Sequence, residues 1–348
     1  METKYWRLTG NAADEAAVTE AAVLIRQGEV VAFPTETVYG LGADGMNAAA
    51  VKKIFAAKGR PADNPLILHV ASLTQVKTLV RDISSTAERL MQAFWPGPMT
   101  LVLKKADGVP DCVTAGLDTV GIRWPNHLAA QMLIKLSGCP IAAPSANLSG
   151  RPSPTDAQEV LADMQGRIAG VLDGGRAKVG VESTIIDCTG SIPVILRPGG
   201  VTLEALEAAV GVVELDPALS GKLTATPKAP GMKYRHYAPQ APLWVVEGDK
   251  TGACLVAKVA EQQRAGRCVG ALVSEETARQ LPQGVITLVY GRRGDAKALA
   301  EALFRLLRNF DRTPADWLIA EGVAETGLGL AAMNRLRKAA GWQIIKAD

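Results

Sequence analysis

Three observations predict an α/β protein of two domains. The 348 residues exceed what one hydrophobic core usually serves. Short β-rich runs alternate with helical patterns both early and late in the chain. Between them runs PALSGKLTATPKAPGMKYRHYAPQAP, which holds Pro217, Pro227, Pro230, Pro239 and Pro242 and sustains no periodicity. The expected domains are residues 1–215 and 242–348, joined by a proline-rich linker over 216–241.

In the first domain, residues 29–33 (EVVAF) form a strand that Pro34 ends. Asn47 caps a helix with Val51, Ile54 and Phe55 at helical spacing, closing near Gly59. Strands follow at 66–70, 99–103, 120–124 and 141–143, with helices at 73–80 and 86–94. Shorter strands at 168–172, 184–187 and 194–196 are punctuated by glycine and proline. Several links are too short for a helical crossover, so the sheet is expected to be mixed. In the second domain, strands at 243–246, 269–273, 285–289 and 317–320 alternate with helices, notably 295–309 and 330–340. That rhythm describes a small, parallel, doubly wound domain.

Apolar residues at 48% and charged residues at 21% describe an ordinary soluble protein and exclude a disordered one. The net charge of +3 is too small for a nucleic-acid coat. Cys112, Cys139, Cys188, Cys254 and Cys268 are scattered and never in C-x-x-C spacing, so reduced, buried thiols are expected rather than disulfides or zinc. The start METKYWRLTG lacks a signal peptide's apolar core, and no run is long enough to span a bilayer; a cytoplasmic protein is expected.

The densest polar cluster, PTETVYGLG from Pro34 to Gly42, follows a buried-looking strand, where open α/β sheets place ligand loops. Thr35, Glu36 and Thr37 suit a polar ligand, or simply build a turn. GLGADG, from Gly40 to Gly45, formally matches the dinucleotide fingerprint, with Asp63 downstream. The context is wrong, because Pro34 to Thr37 separate it from its strand and the helix opens after its third glycine.

AKGRPADNP, from Ala57 to Pro65, puts Lys58 and Arg60 at a helix C-terminus, where cations cap the dipole. Pro61 and Pro65 stiffen that loop, and a point charge beside a planar fork also suits a polyphosphate. His69, on the next strand, is a core histidine or a ligand contact. Arg123, in TVGIRWP, lies on an apolar strand and requires an anion, either a substrate carboxylate or an internal Asp or Glu. PSANLSG offers Ser145 and Asn147 after a strand, and Glu182-Ser183-Thr184 and Arg197-Pro198-Gly199 follow. No Walker loop, nucleophile elbow, zinc helix or kinase signature is present in the sequence.

Lys58-Gly59-Arg60 with Ser145-Ala146-Asn147, preceded by PTETVYGLG and followed by Ser183-Thr184 and Arg197-Pro198-Gly199, resembles the YrdC family. Its full-length members are threonylcarbamoyl-AMP synthases, and the long form adds a proline-rich linker and a Rossmann-like domain. The resemblance implies an N-terminal YrdC-like domain with a twisted mixed sheet. It also implies the reaction of L-threonine, bicarbonate or CO2, and ATP with Mg2+ to give threonylcarbamoyl-AMP and pyrophosphate. The product serves N6-threonylcarbamoyladenosine formation next to the tRNA anticodon, through modification machinery that takes over the adenylate.

By position, Thr35, His69, Arg123, the backbone around Ala143, and Ser183 are expected to hold threonine. Lys58, Asn64, Thr119, Ser145, Asn147, Ser153 and Arg197 are expected on the nucleotide, with Arg60 near its phosphates. Tyr234, Arg235, His236 and Tyr237 become candidates for a lid, the last two on the nucleotide. No resident metal site is expected. The substrate carbamate supplies the nucleophile, so no serine or cysteine device is required. Rival readings are an RNA-binding module without catalysis, a carbamoyl-transfer domain of metal-centre maturation, and a nicotinamide dehydrogenase.

Overall fold

The computed structural model describes residues 2–10, 13–221 and 236–348. The chain divides into two compact units, one of Met1–Ser149 with Ser153–Lys233, the other of Tyr234–Asp348 with Gly150–Pro152. No helix among the described residues is long and apolar enough to cross a membrane.

The strands of the first unit are β1 (Lys4–Arg7), β2 (Val31–Phe33), β3 (Gly40–Asp44), β4 (Ile67–His69), β5 (Met99–Lys104) and β6 (Thr119–Arg123), followed by β7 (Ile141–Ala143), β8 (Gly170–Asp173), β9 (Thr184–Asp187), β10 (Val194–Arg197) and β11 (Glu214–Leu215). They form one sheet in the order β1-β8-β2-β3-β7-β4-β6-β5-β9-β10-β11. Parallel pairs (β4 with β6, β5 with β9) and antiparallel pairs (β3 with β7, β5 with β6) make it mixed.

Because side chains alternate along a strand, the two faces carry different residues. Leu66, Leu68, Leu101, Leu103, Val120, Ile122 and Ile186 pack into the main core with Val51, Ile54, Val76 and Leu90 from helices Ala48–Lys58, Leu73–Leu79 and Ser85–Phe94. Asn47 accepts from the Ala49 and Ala50 amides, and Gly59 ends that first helix in a left-handed conformation, φ 61°. On the opposite face, Val31, Phe33, Ile141 and Ala143 meet helices Ala13–Arg26 and Leu128–Ser137 through Val18, Ile25, Leu133 and Ile134. Farther along, Ile67, Val102, Ile185 and Leu196 form a small separate apolar cluster. Residue pairing across β4, β6, β5 and β9 places His69, Arg123, Thr100 and Gly121 on the same face as that cluster.

The GLGAD segment is a strand, β3, which alternation did not reveal because its glycines offer no side chain to read. Its glycines serve close packing. A Cβ on Gly42 would lie 2.7 Å from both Phe33 Cε1 and Ile141 Cγ2, and one on Gly40 would lie 2.9 Å from Phe33 Cζ. An antiparallel strand under a phenylalanine ring leaves no dinucleotide loop there. The alanine-rich helix Ala13–Arg26 and the helices Leu128–Ser137 and Ala157–Met164 also go beyond the sequence reading.

The second unit has β12 (Leu243–Glu247), β13 (Val269–Val273), β14 (Ile286–Val289), β15 (Trp317–Glu321) and β16 (Ile344–Lys346). All its pairs are parallel, in the order β14-β13-β15-β12-β16. Helix Thr251–Arg264 packs Leu255 and Val259 against Val246, Val269, Ala271 and Ile319. The short β16 is the addition to the expected strand set.

All five cysteines are free thiols, but Cys188 alone is fully buried; the other four are partly so. Burial, with Asp44 and Asp187 beside them, pushes the Cys139 and Cys188 thiols up to about 12.

The packing over β3 yields a direct test. Gly42→Ala is expected to cost about 1–3 kcal/mol by overpacking. The measurement is urea unfolding, and an unchanged midpoint would refute this account of the β2–β3–β7 contact.

Candidate active site

The loop after β2 folds back to Arg123, the last residue of β6. Thr35 makes the turn, its hydroxyl donating to the Val38 carbonyl at 2.6 Å and accepting from the Thr37 and Val38 amides. The Glu36 carbonyl accepts from the Lys178 and Val179 amides at 3.1 and 2.9 Å, which ties the loop down. A guanidinium nitrogen of Arg123 lies 2.9 Å from Glu36 Oε1 and donates to Thr37 Oγ1 at 2.9 Å and Thr35 Oγ1 at 3.5 Å.

Arg123 is 4% exposed and Glu36 9%. The internal carboxylate is therefore present, and it settles the charge requirement read from the sequence. It does not settle the hydrogen bonding. The ion pair lacks hydrogen-bond alignment, and the buried Arg123 Nε–H has no acceptor among the described residues. An orphaned polar group in such a place costs about 1–3 kcal/mol unless a ligand completes it.

His69 pairs directly with Arg123 across β4 and β6, and Thr100 pairs with it across β5. The His69 ring packs edge-on to Phe33, with Nδ1 3.2 Å from the Ile67 carbonyl. Burial, reinforced by the Arg123 charge, holds its imidazole down to about 3. It is a neutral hydrogen-bonding group, not a cation. Ser183 Oγ shares a 2.8 Å hydrogen bond with Thr100 Oγ1, while Arg197 donates to the Ser183 carbonyl at 3.0 and 3.2 Å. Thr35, His69, Arg123 and Ser183 thus converge, with Arg197 joining them through Ser183. Ala143 pairs with Ile67 on the same face.

Of the residues expected on the nucleotide, Lys58, Asn64, Thr119, Ser145 and Asn147 lie at the other ends of these strands, whereas Arg197 and Ser153 sit at the Ser183 end. The buried Lys58 donates from Nζ to the carbonyls of Ser145 and Asn147 at 2.5 and 2.7 Å. Ser145 Oγ donates to Asn147 Oδ1, and Asn147 Nδ2 to the Leu148 carbonyl. Asn64, 1% exposed, has neither amide atom partnered among the described residues. Thr119 opens β6, four residues from Arg123 and so about 13 Å along the strand. Ser153 donates to Glu182, the neighbour of Ser183, at 2.7 Å. Arg60 braces its own loop, donating to the Asn64 and Pro65 carbonyls at 3.1 and 3.3 Å. In the hydrogen bonds described, Lys58 and Arg60 meet different carbonyls, Lys58 those after β7 and Arg60 those of its own loop.

His236 and Tyr237 belong to the second unit, where Tyr237 stacks on Phe304 at 5.1 Å with the Arg335 guanidinium 5.8 Å from its ring centre. Tyr234 and Arg235 lie outside the described residues. Sequence reasoning named Thr37 and Glu182 without assigning them a ligand, and passed over Thr100. Thr100 left one usable signal, a lone hydroxyl inside the otherwise apolar MTLVL run. Among the described residues, no group of three or more His, Cys, Asp or Glu is arranged to hold a metal.

A twisted mixed sheet with a buried arginine and a neutral histidine on one face defines a small-molecule-binding α/β domain. The family model described as "Telomere recombination", shared by the Sua5, YciO and YrdC proteins, matches residues 23–199. A second, described as "Threonylcarbamoyl-AMP synthase, C-terminal domain", matches residues 201–341. A Bacillus subtilis protein named threonylcarbamoyl-AMP synthase is 49% identical over 99% of this chain and 100% of its own. A Schizosaccharomyces pombe protein of the same name is 40% identical over 93% of this chain and 88% of its own. The crystal structure of Pyrococcus abyssi Sua5 complexed with L-threonine superposes with a TM-score of 0.94 at 49% identity, over 100% of both chains. The chain belongs to the Sua5–YciO–YrdC family, in its two-domain form.

Two outcomes follow from the site's electrostatics. Glu36→Met or Arg123→Met alone strands a buried charge and is expected to cost about 3–5 kcal/mol. The double variant should be more stable than either single one in urea unfolding, and simple additivity would contradict the pairing. The folded-state pKa of His69 lies below its unfolded value, so between pH 6.5 and about 3 the unfolded chain binds the extra proton. Stability attributable to His69 is full at neutral pH and falls with acid by at most about 1.4 kcal/mol per pH unit. His69→Gln should flatten that slope, measured by unfolding at pH 7, 5.5 and 4.5; an identical slope would contradict a buried, neutral imidazole.

Proposed function

We propose that the first unit forms L-threonylcarbamoyladenylate and pyrophosphate from L-threonine, bicarbonate or CO2, and ATP. The observation that carries this reading is the buried, Glu36-neutralised Arg123 with an unsatisfied Nε–H, beside neutral His69, Thr100 and Ser183. Arg123 Nε–H and the Ser183 hydroxyl suit a carboxylate, and Thr35 and His69 suit the threonine hydroxyl and amine. The L-threonine complex of the Pyrococcus abyssi relative supports this.

The nucleotide then occupies the other end of the face, with Asn64, Ser145, Asn147 and Thr119 around adenosine. Arg197, Lys58 and Arg60 offset the phosphate charge, and Ser153 keeps Glu182 in place. The separation of about 13 Å along β6 leaves the α-phosphate between the two clusters.

Threonine's amine attacks CO2, a C–N bond forms, and loss of a proton gives the carbamate. A carbamate oxygen attacks the α-phosphorus, an O–P bond forms, and the bond to the β-phosphate breaks. Pyrophosphate leaves with the electron pair. No side-chain nucleophile is needed. The protein supplies alignment and charge stabilisation at phosphorus. Mg2+ enters bound to the ATP phosphates, as part of the substrate, and neutralises part of their charge. The neutral His69 leaves threonine's amine free of a competing cation nearby. The adenylate is passed to the machinery that builds N6-threonylcarbamoyladenosine on tRNA.

The test is pyrophosphate release from ATP by the full chain, with threonine and bicarbonate added singly and together. Release is expected to require both. Lys58→Ala and Asn64→Ala should each lower it by about 10²-fold, the usual effect of removing one preorganised contact. Release that ignores threonine would overturn the reading.

A further inference from the structure

Thr100 is a hydroxyl inside the apolar run MTLVL of β5, and it is fully buried. It pairs with Arg123 on one side and with Ile185 on the other. Ile185 lies two residues beyond Ser183, so strand alternation puts Thr100 and Ser183 on one face.

A hydroxyl carries one proton and two lone pairs, and a buried one has to place them. Ser183, also fully buried, accepts from Arg197 Nη2 at 3.2 Å and shares the 2.8 Å bond with Thr100 Oγ1. Among the described residues neither hydroxyl has a further acceptor. Two protons therefore serve a single bond between the oxygens, and one proton is left over. If Ser183 donates to Thr100, the spare proton lies on Thr100, the strand partner of the Arg123 cation. If Thr100 donates to Ser183, both Ser183 lone pairs are filled and its own proton must point to a third group. A carboxylate on the Arg123 Nε–H selects the second arrangement. Two donors on one oxygen also polarise its O–H bond and strengthen what it donates.

We propose that Thr100 is a positioning residue for the substrate carboxylate. Its hydroxyl donates to Ser183 Oγ and, with Arg197 on the other lone pair, fixes the Ser183 O–H as a donor toward threonine. The inference rests on the reading of this face as the threonine site. It adds that Thr100 acts through Ser183, without touching the substrate.

The Ser183 backbone is held by other groups. The Thr184 amide donates to the Pro98 carbonyl at 3.0 Å, and Arg197 reaches the Ser183 carbonyl. Gly199 approaches so closely that a Cβ there would lie 2.4 Å from the Ser183 carbonyl carbon. Removing the Thr100 hydroxyl therefore leaves Ser183 in place and frees only the rotation of its side chain.

The experiment is calorimetric titration of the full chain with L-threonine across a double-mutant cycle of Thr100→Val and Ser183→Ala. Urea unfolding checks that each variant is folded. Thr100→Val is expected to weaken threonine about 3- to 10-fold, the worth of one hydrogen bond. Thr100→Ser, which keeps the hydroxyl, should restore the affinity. In the Ser183→Ala background, Thr100→Val should have no further effect, because the group it acts through is gone. In pyrophosphate release, Thr100→Val should raise the KM for threonine and leave that for ATP unchanged, a split that general loosening of the sheet would not give. Full affinity in Thr100→Val, additive losses in the cycle, or a loss that Thr100→Ser does not restore would overturn the proposal and leave the threonine site standing. Ser183→Ala binding threonine as tightly as the unmodified chain would overturn the reading of the face, and this inference with it.

Discussion

A guanidinium on an apolar strand has to be held, and the first unit is arranged around holding Arg123. The strand that carries it is central, between β4 and β5, so the charge cannot reach water by bending away at an edge. The loop from 34 to 38 brings one carboxylate and two hydroxyls to it, and the Thr35 turn together with the Lys178 and Val179 amides fixes that loop. A buried pair of this kind adds little stability compared with an apolar replacement. Its use is positional. The ion pair removes the charge problem and leaves one directed N–H for something that arrives later.

The rest of the site follows from strand alternation. One face of β4, β6, β5 and β9 feeds the helical core, and the other presents His69, Arg123, Thr100 and, just before β9, Ser183 over a small apolar floor. The antiparallel course of β7 brings Ser145 and Asn147 to the end where β4 and β6 begin, beside Lys58. Polar groups at both ends of an apolar strip suit a substrate pair joined end to end, with the reacting atoms between. Burial keeps His69 neutral, so within this set the positive charge is carried by arginine and lysine.

Elements dominated by periodic apolar side chains were legible in the sequence. The helix capped by Asn47 and closed by Gly59 is one case, and the strands at 141–143 and 184–187 are others. The glycine-rich β3 and the alanine-rich helix Ala13–Arg26 were not, because small residues give a weak pattern whichever way they fold. Arg123 stood out as a charge in the wrong place, yet the sequence left its partner open between an internal Asp or Glu and a substrate carboxylate; only geometry shows that Glu36 answers the charge and not the Nε–H. Lys58 and Arg60 are one residue apart in sequence but bond to different segments, since the left-handed turn at Gly59 sends the arginine back onto its own loop. Spacing alone could not reveal that.

The central claim is that the first unit's sheet face presents a directed, buried N–H to a carboxylate. Calorimetric titration of the full chain with L-threonine and with L-threoninol, which replaces the carboxylate by a hydroxymethyl group, tests it most directly. Threonine is expected to bind at least about tenfold more tightly, the worth of a hydrogen bond to a charged group. Equal affinities would contradict the account.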